Sequence, residues 1–191
     1  MINNLEKKIP KNAKKVFKGI LFDVYHWEQK LFNGETTIFE SIIRRGSTQI
    51  ICITKDKKII LFKEEQPSIG KFISIPGGQL DETDSNSEIG ARRELLEETG
   101  MKADSFELFY EENFSGKIIW PTYYYIAKEC EKIQEPKLDG GENIKILELN
   151  FEEFIKYTQR EDFRNKQFQN KIFRIIHTKG ELEKFKKKIL D

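Results

Sequence analysis

Cysteine is nearly absent from this chain: Cys52 and Cys130 stand alone among 191 residues. That excludes a disulfide-stapled scaffold, and two thiols so far apart have no metal-ligand spacing. Free thiols in a reducing compartment are expected. An excess of one charge is missing too. Lys and Arg number 33 against 32 Asp and Glu, a formal net charge of +1, so there is no electrostatic case for a nucleic-acid or membrane partner. No stretch approaches the roughly 20 apolar residues of a membrane span. The opening Met1–Lys15 is polar, lysine-rich and interrupted by Pro10, with no apolar signal core. These absences point to a cytoplasmic protein. His26 and His177 are lone histidines, read as structural. No internal repeat or low-complexity tract is present.

What is there suits one folded domain with a sizeable core: 38% hydrophobic residues, of which aromatics make up 12% of the chain. Met1–Lys15 reads as a mobile or loosely packed arm. Val16–Trp27, rich in β-branched and aromatic residues, reads as a strand. Asn33-Gly34 is a hairpin signal in which both central residues need positive φ, and Thr36–Arg44 returns as its partner. Thr48–Thr54 and Lys58–Lys63 pair around Asp56-Lys57, and Phe72–Ile75 leads into Pro76-Gly77-Gly78. Ser105–Glu112 and Lys117–Ala127 read as strands joined near Ser115-Gly116. Pro136–Glu142 is a loop and Ile144–Leu149 a last strand. Phe151–Tyr157 and Asp162–His177 carry helical spacing, and Gly180 precedes a short lysine-rich helix. A mixed sheet flanked by helices, an α+β or α/β sandwich, is expected.

The chain is organised around Gly78–Met101. Ser85, Asn86 and Ser87 can each cap a helix. Ile89–Thr99 reads as that helix and Gly100 ends it. Glu94, Glu97 and Glu98 fall at i, i+3 and i+4, on one face. Ile89 and Leu96 fall opposite and are expected to anchor the helix to the core. Three crowded carboxylates need a positive counterpart. Arg93 reaches Glu97 at i+4, but one arginine cannot neutralise three acids. Clustered hard oxygens are what Mg²⁺ selects, and Mg²⁺ holds phosphate oxygens. A solvated acidic face is the plain alternative. The glycine turn just upstream, which lets backbone approach a ligand, weighs against it.

This segment resembles the Nudix box: G, five residues, E, seven residues, then R-E-apolar-x-E-E-x-G-apolar. Arg93, Glu94, Leu95, Glu97, Glu98, Gly100 and Met101 match the second half. The first half departs. Counting back from Arg93 puts Ser85 at the first Glu and Gln79 at the Gly. One extra residue before the helix would restore Gly78 and leave Asp84 or Ser85 at the acidic position. The hairpin, Arg44-Arg45, Glu64-Glu65-Gln66 and Pro76-Gly77-Gly78 resemble the ADP-ribose pyrophosphatase branch across roughly 18–157. That branch has Glu-Gln-Tyr-Arg where this chain has Glu65-Gln66-Pro67-Ser68, so a basic residue suited to a diphosphate is missing there.

The resemblance implies a Nudix fold, an α/β/α sandwich with an N-terminal antiparallel hairpin. Residues 1–46 would form an arm and hairpin, exchanged in a homodimer, and 47–191 the catalytic domain. It implies Mg²⁺ (Mn²⁺ as substitute) on Glu94 and Glu98, with Glu97 third and the Gly77 carbonyl a further ligand. Arg93 would orient the glutamates. Glu142, in the loop before the last strand, takes the general-base position, with Asp139 in reserve. Trp27, Phe39 and Trp120 are candidates to stack a base, and Arg44 and Arg45 to clamp a phosphate. The implied reaction is hydrolysis of a nucleoside diphosphate-linked small molecule, ADP-ribose or a similar NDP-sugar first. The alternatives are a nucleoside triphosphate or dinucleotide pyrophosphohydrolase and a catalytically silent nucleotide-binding module.

Overall fold

The computed structural model describes residues 5, 8–113 and 116–191. Two sheets and four helices organise these residues. The small sheet has the order β1-β2-β3-β9, from Lys14–Lys18, Phe22–Lys30, Thr36–Arg44 and Ile118–Ile119. The large sheet contains β4 (Ser47–Thr54), β5 (Ile59–Gln66), β6 (Gly70–Ser74), β7 (Met101–Lys102), β8 (Ser105–Asn113), β10 (Pro121–Lys132) and β11 (Asn143–Leu149). Its main path is β11-β5-β4-β10-β7, with β6 on β5 and β8 on β10. The β4–β10 pair is parallel and the other pairs antiparallel, so the sheet is mixed.

The large sheet is buried on both faces, which is why β4 and β5 are near-continuous apolar runs rather than alternating ones. Ile50, Cys52, Ile60 and Phe62 pack on one face beneath α1 (Ser87–Thr99). Ile51, Ile53, Ile59 and Leu61 pack on the other, against α2 (Phe151–Thr158), α3 (Lys166–His177) and α4 (Glu181–Leu190). Helix, sheet and helices make the α/β/α sandwich of an α+β protein, as expected.

Several local expectations are corrected. Val16–Trp27 is two strands, because Gly19 turns the chain and its N–H donates to the Phe22 carbonyl (2.8 Å). Residues on both sides of Gly19 favour strand equally, which hid the turn. At Asn33-Gly34 only Gly34 takes positive φ (90°). Gly34 N donates to Leu31 O, and Asn33 Oδ1 accepts from Glu35 N instead. Lys117–Ala127 is interrupted at Trp120: β9 joins the small sheet beside β3 while β10 enters the large one. Ser115 lies outside the described residues; Gly116 has φ 85°.

The helix expected over Asp162–His177 begins only at Lys166. Ile73 N donates to Asp162 O, and Arg164 N to Ile73 O, so 162–164 spend their backbone on β6. The Met1–Lys15 arm is not loose where it is described. Leu5 is buried with Tyr25, Ile43 and Ile119, with Ile9 and Ala13 against them, and Lys14-Lys15 belong to β1. Residues 1–4 and 6–7 lie outside the described part.

Candidate active site

Helix α1 starts where a short polar side chain can cap it. Asn86 Oδ1 accepts from Ile89 N at 2.9 Å. It ends at Gly100, whose φ of 70° lets its N–H return to Leu96 O. Its anchoring face differs from expectation. Ala91 and Leu95 are the buried apolar contacts, and Ile89 is 45% exposed. The inward face is Gly90, Ala91, Leu95, Glu98 and Thr99, so the helix carries a carboxylate into the protein alongside its core residues.

Arg93 ties this helix to the loop before it. Its Nε and Nη2 donate to the two carboxylate oxygens of Asp84 (3.2 and 2.9 Å), and Nη2 also to Gln79 O (3.1 Å). Its Nη1 donates to Glu94 Oε1 and Glu97 Oε2, both at 2.9 Å. Asp84 is buried and also accepts from Asp81 N (2.7 Å). The bonds from Arg93 hold the Asp84 carboxyl below the usual carboxylate range. Of the two residues left open for the first acidic position, Asp84 contacts Arg93, and Ser85 is exposed. Planar, bidentate guanidinium–carboxylate geometry makes this a fixed support rather than a surface pair.

Glu94 and Glu98 sit in the opposite electrostatic situation. Burial pushes Glu94 up to about 7, against the pull of Arg93 and with help from Glu97 and Glu142. Burial likewise raises Glu98 well above the usual range, although Gly77 N–H donates to its Oε2 at 2.7 Å. The glycine turn fits closely around both. Gly77 has φ 136°, and a Cβ there would stand 2.2 Å from Thr48 O. A Cβ on Gly78 would stand 2.6 Å from the Glu94 carboxylate. Pro76 O and Gly78 O accept from Ile50 N and Thr48 N, which lays the turn along β4.

A cleft of about 230 Å³ opens between this turn, β5, β10 and the loop before α3. Gly77, Glu98, Glu142 and Arg44 line it. Glu94 adjoins it beside Gly78. Glu97, paired with Arg93, is half-exposed and outside the lining. Burial first, then the Glu64 and Asp139 charges, raise Glu142 above the ordinary range, and the Asp139 backbone bond opposes them. Asp139 is exposed and outside the lining. Arg45 pairs with Glu82 at 2.9 Å instead. Trp27 and Phe39 meet edge-to-face in the small sheet, also outside this cleft. Trp120 does line it, held by Ser47 Oγ at 3.0 Å.

Sequence reasoning missed Glu64, Arg164 and Asn165. Glu64 is buried, accepts from Ser74 Oγ and Gln66 Nε2, and lines the cleft. Its signal was available: it follows Ile60 and Phe62 at period two, on the face that α1 covers. Arg164 and Asn165 lay inside a stretch read as helix.

The donor chemistry suits a divalent cation. Glu94 and Glu98 are hard oxygen donors crowded in a desolvated place, and the raised values of both are what a nearby cation would reverse. Among the described residues no three acidic, His or Cys side chains converge as a ready-made ligand set; Arg93 holds Glu94 and Glu97 instead.

A family profile described as the NUDIX domain matches residues 44–174. The chain is similar to the ADP-ribose pyrophosphatase of Bacillus subtilis (strain 168), 29% identical over 160 residues, 81% of this chain and 83% of that protein. It is similar to the methanol dehydrogenase activator of Bacillus methanolicus, 27% identical over 151 residues, 76% of this chain and 80% of that one. Among solved structures, an ADP compounds hydrolase superposes with TM-score 0.69 at 18% identity, covering 85% of this chain and 89% of that chain.

Proposed function

The chain belongs to the NUDIX family, and on that premise we propose that it hydrolyses the diphosphate bond of a nucleoside diphosphate joined to a second group. ADP-ribose is the first candidate, with water giving AMP and ribose 5-phosphate; the names of the pyrophosphatase and hydrolase relatives support that order. One observation carries the reading: the Asp84–Arg93 lock positions Glu94 beside the glycine turn while Glu98 and Glu142 face a cleft that also holds arginine.

Glu94 and Glu98 would hold the cation, Mg²⁺ with Mn²⁺ as substitute, together with the Gly77 carbonyl and with Glu97 as a further acid. A cation held there would supply charge neutralisation for the diphosphate oxygens. Arg93 fixes the rotamers of Glu94 and Glu97. Glu142 accepts the proton of the attacking water; its raised affinity for protons suits a base, and Gly140 and Gly141, with open space around them, let its loop adjust. Arg44 meets the substrate phosphates. Buried free Cys52 and Cys130 accord with a cytoplasmic protein, and no helix among the described residues is long and apolar enough to cross a membrane. The division into 1–46 and 47–191, with a homodimer formed through the small sheet, belongs to the same reading. Trp27 and Phe39 would then serve the partner's substrate.

The test is product release from ADP-ribose, NDP-sugars, dinucleotides and nucleoside triphosphates, with Mg²⁺ and with chelator. Metal-dependent cleavage of ADP-ribose or an NDP-sugar, lost in Glu98→Gln, is expected. Preference for triphosphates or dinucleotides would reassign the substrate. Stabilisation by nucleotide without any turnover would overturn the enzyme reading in favour of a binding module.

A further inference from the structure

Two arginines at the cleft lack the carboxylate partners that four of the other five arginines find among the described residues; the fifth, Arg174, is exposed to water. Arg45, Arg92, Arg93 and Arg160 each pair with a carboxylate. Arg44 and Arg164, which both line the cleft, make no such ion pair among the described residues. Arg44 lies over Trp120, its Cζ 4.1 Å from the ring centre, and its buried Nε has no hydrogen-bond partner among the described residues. Arg164 lies over Phe72 at 4.6 Å. The two guanidinium groups are close enough to repel: after burial, Arg164 is what lowers the proton affinity of Arg44. Like charges held together, each over an aromatic ring and neither in an ion pair, can receive an anion; Arg164 also lies near enough to Glu142 to pull that carboxyl down.

Arg164 is placed by rigid structure, not by a loose loop. Phe163 beside it is fully buried and bridges Ile73 in parallel. Arg164 N donates to Ile73 O at 2.7 Å. Asn165 on its other side accepts from Ile75 N (3.1 Å) and donates to Gln49 Oε1 (2.6 Å). The chain between α2 and α3 is therefore bonded to β6 and to Ile75, the residue just before the glycine turn.

We propose that Arg164, delivered by this bonded link, joins Arg44 as a two-guanidinium clamp on the non-bridging oxygens of the substrate's diphosphate. This rests on the diphosphate reading above and adds a residue from the other end of the chain. It also explains how a chain with Pro67-Ser68 after Glu65-Gln66 manages without a basic residue there. In this clamp the acids of the cleft take the cation, and the two arginines take the oxygens that the cation leaves.

The experiment is calorimetric binding of ADP and of adenosine in chelator, with KM and kcat for ADP-ribose in Mg²⁺ alongside. Arg164→Ala is expected to weaken ADP binding roughly tenfold or more, the value of a charge-assisted contact, and to flatten its salt dependence. Adenosine binding should stay unchanged, KM should rise more than kcat falls, and Arg164→Lys should recover part of the loss. Arg174→Ala, an exposed arginine on the same helix as the link leads into, should behave as wild type. Wild-type ADP binding and turnover with no change in Arg164→Ala would overturn the clamp while leaving the function standing. No ADP binding and no turnover by wild type would instead remove the diphosphate reading, and the clamp with it.

Discussion

Asp84 shows how a single buried carboxylate can carry the geometry of a site. It is nearly inaccessible, accepts two bonds from Arg93 and one from Asp81 N, and through Arg93 sets Glu94 and Glu97. Breaking one partner of a buried pair leaves the other charge uncompensated, so Asp84→Asn should cost about 3 kcal/mol in urea unfolding at pH 7. The Asp84 carboxyl is lowered by folding, so its stabilisation is complete above the ordinary carboxylate range and fades as pH falls through its folded value; the difference between variant and wild type should shrink in acid. Glu94 has the opposite sign. Raised to about 7 from an ordinary 4.5, it favours the fold fully below 4.5 and withdraws that support as pH rises toward and past 7. Metal-free protein should therefore melt at lower temperature at pH 8 than at pH 6, and Mg²⁺ should restore more stability at pH 8. Equal Mg²⁺ effects at both pH values in thermal melts would count against a cation on Glu94 and Glu98.

Element by element, legibility in the sequence followed how local the determining physics is. The end of α1 at Gly100 was readable because that residue acts through its own backbone neighbourhood; at the start, Asn86 was one of three possible caps, and the helix begins at Ser87, two residues before the expected Ile89. The second half of the acidic motif was readable because its spacing lies on one helix. Which side of α1 meets the sheet was not, since Gly90 and Ala91 are too small to register as apolar anchors. There, a Cβ on Gly90 would meet Leu80 at 2.4 Å, so close approach rather than bulk fixes the helix. Leu95→Ala should destabilise by about 2–5 kcal/mol, as deletions from a filled core do. Ile89→Ala, on the exposed side, should stay within about 0.5 kcal/mol. A denaturation series on the two variants separates the observed face from the one that spacing alone suggested. Glu142 was legible only through the family resemblance. Arg164 was not legible at all, because its place depends on 162–164 bonding to Ile73, some 90 residues earlier in the chain, rather than continuing α3.

At the scale of the whole molecule, the cleft and the small sheet leave matching deficits. A cleft of about 230 Å³ is below the roughly 300–1,000 Å³ of pockets that enclose a drug-sized ligand. It can hold a diphosphate between acids and arginines, but an attached nucleoside must extend beyond it. The small sheet, for its part, leaves apolar side chains in water at the β1–β2 turn: Phe17, Leu21, Phe22 and Ile20, the last 97% exposed. A contiguous patch of that kind marks an interaction surface more often than a neutral one. A second copy seated there would cover the patch and bring the Trp27–Phe39 pair, idle within one chain, toward a neighbouring cleft. Sedimentation of the wild type should then give a dimer. Asp at both Phe17 and Leu21 should give a folded monomer whose KM for ADP-ribose is raised while ADP, bound through its phosphates, is held nearly as well. A wild-type monomer at full activity would reduce the patch to surface and leave the nucleoside to Trp120 alone.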